Sequence, residues 1–109
     1  MAEAFKVLGQ VAPGVATLTD LYTVPGSTST TVSTLVVANR SATATTFRIS
    51  VAVANEADSV KQYIFYDQLI DGGSSFTATI GMTLATTDRI RVYATLATLS
   101  FSAFGVEIT

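Results

Sequence analysis

The chain alternates polar, mostly hydroxyl-bearing residues with apolar residues along most of its length, and this period of two constrains its fold more than any other feature. In residues 46–53, Phe47, Ile49, Val51 and Val53 share one parity, and Thr, Arg, Ser and Ala fill the positions between them. Successive side chains of a β-strand point to opposite faces, so this pattern buries one face and leaves the other polar. The branched side chains of Thr and Val also disfavour helix interiors. The pattern therefore predicts an all-β protein.

Turn-forming residues interrupt the alternation about every ten residues, a spacing typical of sandwiches and small barrels. The clearest are Pro13-Gly14 and Pro25-Gly26, which predict type II turns, and Asp71-Gly72-Gly73, which predicts a hairpin. The segments between the turns predict eight strands. These strands lie near residues 4–10, 15–24, 31–39, 45–54, 60–70, 75–80, 89–97 and 99–108.

A helix competes with a strand in one segment only, residues 58–70, where Asp58 could be an N-cap. The run from Tyr63 to Tyr66 is aromatic and β-branched, which favours the strand. Seven to eight short antiparallel strands hide their apolar faces best as two packed sheets. We therefore predict a single antiparallel β-sandwich domain over residues 1–109, immunoglobulin-like or jelly-roll-like. Its expected core comprises Val32, Leu35, Val37, Phe47, Ile49, Val51, Val53, Phe65, Phe76, Ile80, Ile90, Val92, Leu96, Phe101 and Ile108.

Charged residues make up 13% of the chain, about half of the ~25% typical of soluble domains, and the mean hydropathy is +0.48. A membrane span does not account for this, because the longest uncharged stretch, residues 21–39, contains Pro25, Gly26 and many hydroxyls. The first residues lack the cationic and apolar regions of a signal peptide, so we expect synthesis in the cytosol. The net charge of −2 and the absence of a basic run argue against a nucleic-acid partner. Large protein–protein contacts are the remaining explanation.

Catalytic chemistry has little support in this composition, because the chain contains no histidine and no cysteine. A Ser or Thr nucleophile needs a base, and Lys6 and Lys61 lie in separate predicted segments. Asp67 and Asp71 would stand about 13 Å apart on a strand, beyond the ~5–9.5 Å of glycosidase carboxyl pairs. We therefore predict that the protein is not an enzyme and has no catalytic residues, no cofactor and no metal.

Two binding alternatives stay open at this point. Residues 55–58 place Asn55, Glu56 and Asp58 in one loop, as in a surface calcium site, although the spacing matches no EF-hand. Tyrosines on strands can also stack on sugars, but they are more often half-buried with their hydroxyls at the rim. The four tyrosines are Tyr22, Tyr63, Tyr66 and Tyr93.

The C-terminal part of the chain is the predicted protein interface. Residues 96–106 contain neither charge nor proline, the features that normally protect an exposed strand edge. Phe101 and Phe104 differ by an odd number, so one is expected to fill the core while the other meets a partner. Arginine is enriched at interfaces, although an exposed strand face explains Arg89 and Arg91 equally well. The predicted interface residues are Arg89, Arg91, Tyr93, Phe101 and Phe104.

Several segments resemble small virion proteins of tailed bacteriophages. The resemblance implies a β-sandwich, present in many copies, that decorates a capsid or belongs to the neck or tail. It also implies contacts with other virion proteins, such as the major capsid protein, and with copies of itself. On this basis we expect a non-enzymatic capsid decoration (cement) protein located in the virion; the alternative is a neck, tail or fibre component with a carbohydrate- or receptor-binding role. The resemblance implies no catalytic residues. The segments are Leu-Tyr-Thr-Val-Pro-Gly (21–26), Ser-Thr-Leu-Val-Val-Ala-Asn-Arg-Ser (33–41), Thr-Phe-Arg-Ile-Ser-Val (46–51), Ile-Gly-Met-Thr-Leu-Ala-Thr-Thr-Asp (80–88), Arg-Val-Tyr-Ala (91–94) and Phe-Gly-Val-Glu-Ile-Thr (104–109).

Overall fold

The computed structural model describes residues 2–109, which form nine β-strands and two short 3-10 turns, Val53–Asn55 and Val60–Gln62. No helix in this part of the chain is long and apolar enough to cross a membrane. The prediction of an all-β protein is confirmed, whereas the predicted count of seven to eight strands is wrong. The strands are β1 (Glu3–Val11), β2 (Thr19–Thr23), β3 (Ser29–Asn39), β4 (Thr45–Ala52), β5 (Tyr63–Ile70), β6 (Ser75–Ala78), β7 (Met82–Leu84), β8 (Arg89–Ala94) and β9 (Leu99–Ile108).

The additional strand arises from a break near Gly81. One strand was predicted over residues 75–80 and none over residues 82–84, but β6 ends at Ala78 and β7 covers Met82–Leu84. Gly81 adopts a φ of +60°, a left-handed conformation that interrupts the extended chain. Both short strands pair with β3, β6 along its C-terminal half and β7 along its N-terminal half. Together they therefore occupy the place of one interrupted strand.

The strands form two antiparallel sheets that enclose one core. Sheet A has the order β1-β9-β3-β6, with β7 also paired to β3, and sheet B has the order β2-β8-β4-β5. Phe47 and Phe65 of sheet B meet Phe76 and Phe101 of sheet A, with ring centroids 5.2 to 6.0 Å apart. Burying each such aromatic ring contributes about 2–3 kcal/mol. The core is therefore shared between the two sheets, as in a β-sandwich.

The connection at Asp71-Gly72-Gly73 links the two sheets and does not close a hairpin. β5 pairs with β4 in sheet B, and β6 pairs with β3 in sheet A. The turn itself is tight, since the Ser74 amide donates to the Asp71 carbonyl over 3.2 Å and Gly73 has a φ of +69°. The predicted turn is therefore present, but the predicted hairpin pairing is wrong.

The two Pro-Gly pairs also differ from their predicted geometry. A type II turn needs a positive φ at glycine, but the positive φ values fall at Ala16 and Ser27, after Gly14 and Gly26. The Ala16 amide donates to the Ala94 carbonyl over 2.9 Å, a tertiary bond outside the local turn. Contacts with distant strands thus help to determine the conformation of these connections.

Most of the predicted core is buried or packed against the core, with two clear exceptions. Val53 is 63% exposed because it lies beyond β4 in a turn where the next residue has a φ of 52°. Ile80 is 45% exposed because it lies in the break before Gly81. Leu96 and Ile108 are only half-buried. Buried core residues that the prediction missed are Leu21, Tyr22, Val24, Ala52, Ile70, Ala78, Leu84, Ala94, Leu99 and Ala103.

Candidate functional site

The predicted interface residues are divided between opposite sides of the sandwich. Arg89, Arg91 and Tyr93 alternate along β8 with the buried residues of that strand, so they point away from the core of sheet B. Phe101 lies in the core and is only 1% exposed, and Phe104 is half-buried on the outer side of sheet A. The five residues therefore do not form one surface in the monomer. Whether any of them contacts a partner stays a prediction.

The premise that β9 is a free strand edge is wrong. β9 lies inside sheet A, with β1 on one side and β3 on the other. Its register with β3 runs from Leu99 to Ile108, and its register with β1 runs from Phe101 to Ile108. A strand with two neighbours has no unpaired edge to protect, which explains why residues 96–106 need neither charge nor proline.

The outer side of sheet B, which we call the polar face, carries every charged residue of the strands in that sheet. Asp20 comes from β2, Arg48 from β4, Asp67 from β5, and Arg89 and Arg91 from β8. Each of these residues forms an ion pair with another member of the group. Tyr66 and Tyr93 lie on the same face.

Arg48 lies between two tyrosine rings at the centre of this face. Its guanidinium carbon is 4.2 Å from the ring centroid of Tyr66 and 4.6 Å from that of Tyr93. Its Nε donates to Asp67 Oδ1 over 2.7 Å, and this bond raises the pKa of Arg48 above its ordinary value. Cation–π contacts at exposed sites contribute about 0.5–1 kcal/mol each. The group is thus a fixed platform with an exposed aromatic ring, since Tyr66 is 58% exposed.

Arg89 and Arg91 are held by other parts of the same chain. Both donate to the carboxylate of Asp20, Arg91 over 3.3 Å from its Nε. Arg91 also donates to the Glu56 carbonyl over 2.9 Å and to Asn55 Oδ1 over 3.0 Å. Arg91 therefore fixes the loop between β4 and β5 onto sheet B, a role that the sequence did not indicate.

The acidic residues of that loop have separate partners. The Glu56 carboxylate accepts from Gln62 and from Lys61, each over 3.2 Å, and these bonds lower the pKa of Glu56. Asp58 accepts from the Tyr63 hydroxyl over 3.0 Å; burial, followed by this bond, raises the pKa of Tyr63. Within residues 2–109, no three acidic side chains are grouped as metal ligands would be.

The outer side of sheet A, which we call the neutral face, has almost no charge. Phe5 is 80% exposed, and it flanks a shallow groove of about 320 Å³ together with Phe104 and Val106. Among the outward residues of the sheet A strands, Glu3 alone is charged. The uncharged outward residues include Phe5, Val7, Thr31, Ser33, Val36, Ala38, Thr77, Thr83, Ser100, Ser102, Phe104, Val106 and Ile108.

The other two charged residues of sheet A form a polar cluster on its inner side. Lys6 Nζ lies 2.6 Å from Glu107, and the Tyr22 hydroxyl donates to the same carboxylate over 2.6 Å. Tyr22 also shares a 2.7 Å hydrogen bond with Thr30. The bonds from Lys6 and Tyr22 lower the pKa of Glu107, while burial and the bond to Glu107 raise the pKa of Tyr22 to about 12. Glu107 is the only charged residue of β9 and it faces inward, so the outward side of β9 carries no charge.

The outward position of two apolar residues of β1 was not predicted from the sequence. Residues 4–10 were predicted as a strand, but nothing was predicted for Phe5 and Val7, which share the neutral face. Their shared parity was a usable signal, because two large apolar residues alternate there with Ala4 and Lys6. The sequence could not show that this parity faces outward, since that depends on the pairing with β9.

Comparison with known proteins gives no relative for this chain. No protein family, no curated protein and no solved structure matches it.

Proposed function

We propose that the protein is a non-enzymatic structural component of a bacteriophage particle, a capsid decoration protein that stabilises the shell by protein–protein contacts. The neutral face carries this proposal, with the segments that resemble phage virion proteins as further support. A sheet face with one charged residue and a largely exposed phenylalanine is suited to burial against protein. Many copies on a regular shell also make weak contacts effective, because each bound copy lies at high local concentration.

The strand pairing supports a finer description of the fold as a jelly roll. β1 pairs with β9, β2 with β8, β3 with β6 and β7, and β4 with β5. These nested pairs correspond to one long hairpin, which is rolled up so that β9 meets β3 and β8 meets β4. If β6 and β7 are counted as one interrupted strand, eight strands form two four-stranded sheets. Capsid and lectin domains use this architecture.

The size of the neutral face is adequate for such a contact. Four strand positions at ~4.8 Å and the eleven residues of β3 at ~3.3 Å each give a face of roughly 700 Å². A standard protein interface buries about 800 Å² on each partner. The face and its immediate rim therefore provide enough area for one specific contact with a shell.

The copy number in purified particles of the encoding phage tests the placement. We expect quantitative mass spectrometry to find hundreds of copies in each particle. Six or twelve copies would instead indicate a neck or tail component. Absence of the protein from the particle would contradict any role in the virion.

A binding assay with purified capsid shells tests the surface. Val36 lies near the middle of the neutral face, so Val36→Asp is expected to abolish co-sedimentation with shells. Leu69→Asp is the matched control, because Leu69 is an exposed apolar residue of sheet B. Equal binding by both folded variants would show that the neutral face does not contact the shell.

A carbohydrate-binding role in a fibre or tail is the second candidate, and the Arg48 platform favours it. Tyr66 presents an exposed ring beside Asp67, an arrangement suited to stacking and hydrogen bonding of a sugar. Glycan-array binding that is lost in Tyr66→Ala and retained in Tyr63→Phe would support this function. The absence of binding to every glycan tested would contradict it.

A further inference from the structure

β1 has an open edge along Glu3–Val7. Among the described residues its only strand neighbour is β9. Ala2 and Thr109 exchange two backbone hydrogen bonds of 3.0 and 2.9 Å. Because bonded and non-bonded pairs alternate in an antiparallel ladder, Glu3, Phe5 and Val7 direct their backbone groups away from β9. The edge therefore presents the N–H and C=O groups of three alternate residues.

The other three sheet edges are short or interrupted. β2 has five residues and a register shift between Asp20 and Tyr22. β5 contains Asp67 with a φ of 51°, and β6 and β7 are separated by Gly81. Bulges, breaks and short length are the usual means of preventing strand addition. By contrast, β1 keeps a continuous register from Glu3 to Val7 and contains no proline, and its only cation, Lys6, is paired with Glu107 of the same chain.

We propose that the open edge of β1 binds the β1 edge of a second copy of this chain, antiparallel, about a two-fold axis at Phe5. The two copies of sheet A then form one continuous sheet, and their neutral faces join. This inference goes beyond the proposed function and does not depend on it. A protein that is absent from phage particles would still form this dimer.

The alternating direction of the backbone groups along β1 and the positions of its charged side chains favour this register. Only pairs of odd-numbered residues have matching backbone groups at the edge, and these residues also share the neutral face. An axis at Phe5 pairs Phe5 with itself and Glu3 with Val7, so each edge-directed residue finds a partner, and each pair exchanges two backbone hydrogen bonds. An axis at Ala4 is less favourable, because it places the Glu3 carboxylate opposite the ring of Phe5. An axis at Lys6 is less favourable, because it places the two positively charged Lys6 side chains opposite each other.

Side-chain chemistry supports the same arrangement. Phe5 is 80% exposed in the monomer, and in the dimer its ring lies beside the ring of the second copy. Aromatic pairs across neighbouring strands are among the stabilising cross-strand contacts. Lys6 lies opposite Ala4, so the dimer brings no like charges into direct opposition. The edge is thus complementary to itself in backbone, shape and charge.

Single cysteines test the register directly, because the chain has no cysteine of its own. Under mild oxidation, Phe5→Cys is expected to give a disulfide-linked dimer. Glu3→Cys alone is expected to stay unlinked, since residues four apart lie about 13 Å apart along a strand, beyond the ~7 Å limit for a disulfide. A mixture of Glu3→Cys and Val7→Cys, which retains Phe5, is expected to form the mixed disulfide.

Light scattering after size-exclusion chromatography tests the dimer without cross-linking. The parent chain is expected to have the mass of a dimer and Phe5→Lys the mass of a monomer, whereas Val15→Lys, a change at another exposed apolar residue, stays dimeric. Circular dichroism verifies that each variant is folded. A monomeric parent chain, a dimeric Phe5→Lys variant, or cross-linking of Glu3→Cys alone would overturn the proposal.

Discussion

The two outer faces of the sandwich differ in their charge. On the polar face all five charged residues of the sheet B strands form ion pairs with one another. On the neutral face one charged residue, Glu3, accompanies an almost fully exposed Phe5. The inner sides of both sheets supply phenylalanines to one core. The contrast between the two faces therefore lies in their outward residues.

This comparison gives a structural meaning to the low charged fraction. The value of 13% is an average over the whole chain, but the charges are concentrated on the polar face and in the loops. Sheet A uses Lys6 and Glu107 on its inner side, where they stabilise the sandwich. A low overall charge thus indicates one particular uncharged surface. It does not indicate a uniformly apolar exterior.

The largest expected difference in stability is between a substitution on the inner side of β9 and one on its outer side. Phe101→Asp places a charge next to Phe47, whose ring centroid lies 6.0 Å away, and is expected to prevent folding. Loss of a core phenylalanine costs about 3–5 kcal/mol, and the buried carboxylate adds to this. Phe104→Asp, on the neutral face, is expected to fold with a stability within about 1 kcal/mol of the parent. Urea denaturation followed by circular dichroism measures both.

If Phe104→Asp also failed to fold, the outer side of β9 would be part of the packing of the protomer. The neutral face would then be a structural surface, and the contrast with the polar face would lose its basis.

A smaller loss of stability is expected for a substitution in the polar cluster on the inner side of sheet A. Glu107→Gln is expected to lower the free energy of unfolding at pH 7 by about 1.5–3 kcal/mol, because it weakens the bonds from Lys6 and Tyr22. The folded-state pKa of Glu107 is lowered, so its stabilisation is complete above the unfolded carboxyl pKa of ~4.3 and is lost as the pH falls through the folded value. The penalty should therefore shrink in acid. Urea titrations from pH 7 to pH 3 measure it.

Glu3→Gln is the matched control for this experiment, because Glu3 lies on the same strand pair but faces outward. It is expected to leave the stability unchanged at pH 7. A penalty for Glu107→Gln that persisted unchanged at pH 3 would show that the carboxylate charge is not what stabilises the cluster.

The smallest expected effect concerns the polar face. Asp67→Asn weakens the ion pair with Arg48 and is expected to cost no more than about 1 kcal/mol, a penalty that fades at high salt. Tyr66→Ala is expected to cost a similar amount with little salt dependence, because it removes stacking and apolar contact on Arg48. Urea denaturation at low and high salt measures both. A large loss of stability in either variant would show that this face contributes to folding as strongly as the core does.

Sequence patterns predicted local features better than pairings. The strand over residues 99–108 has the predicted bounds, and Phe47, Ile49 and Phe101 lie in the core as expected. The strand β7 (Met82–Leu84) was missed, because three residues are too few for the apolar–polar alternation to be recognised. Three of the five predicted interface residues share the outward side of one strand. Phe101 and Phe104 do not join them, since they belong to the other sheet.

The sequence by itself determined the all-β class, most strand positions and the parity of most core residues. These features depend on steric preferences and alternation within a few neighbouring residues. The tertiary structure alone decided that Asp71-Gly72-Gly73 joins two sheets, that β9 lies between β1 and β3, and that the open edge belongs to β1. An uncharged strand has the same composition at the centre of a sheet as at an exposed edge. Only pairing between residues distant in sequence distinguishes the two.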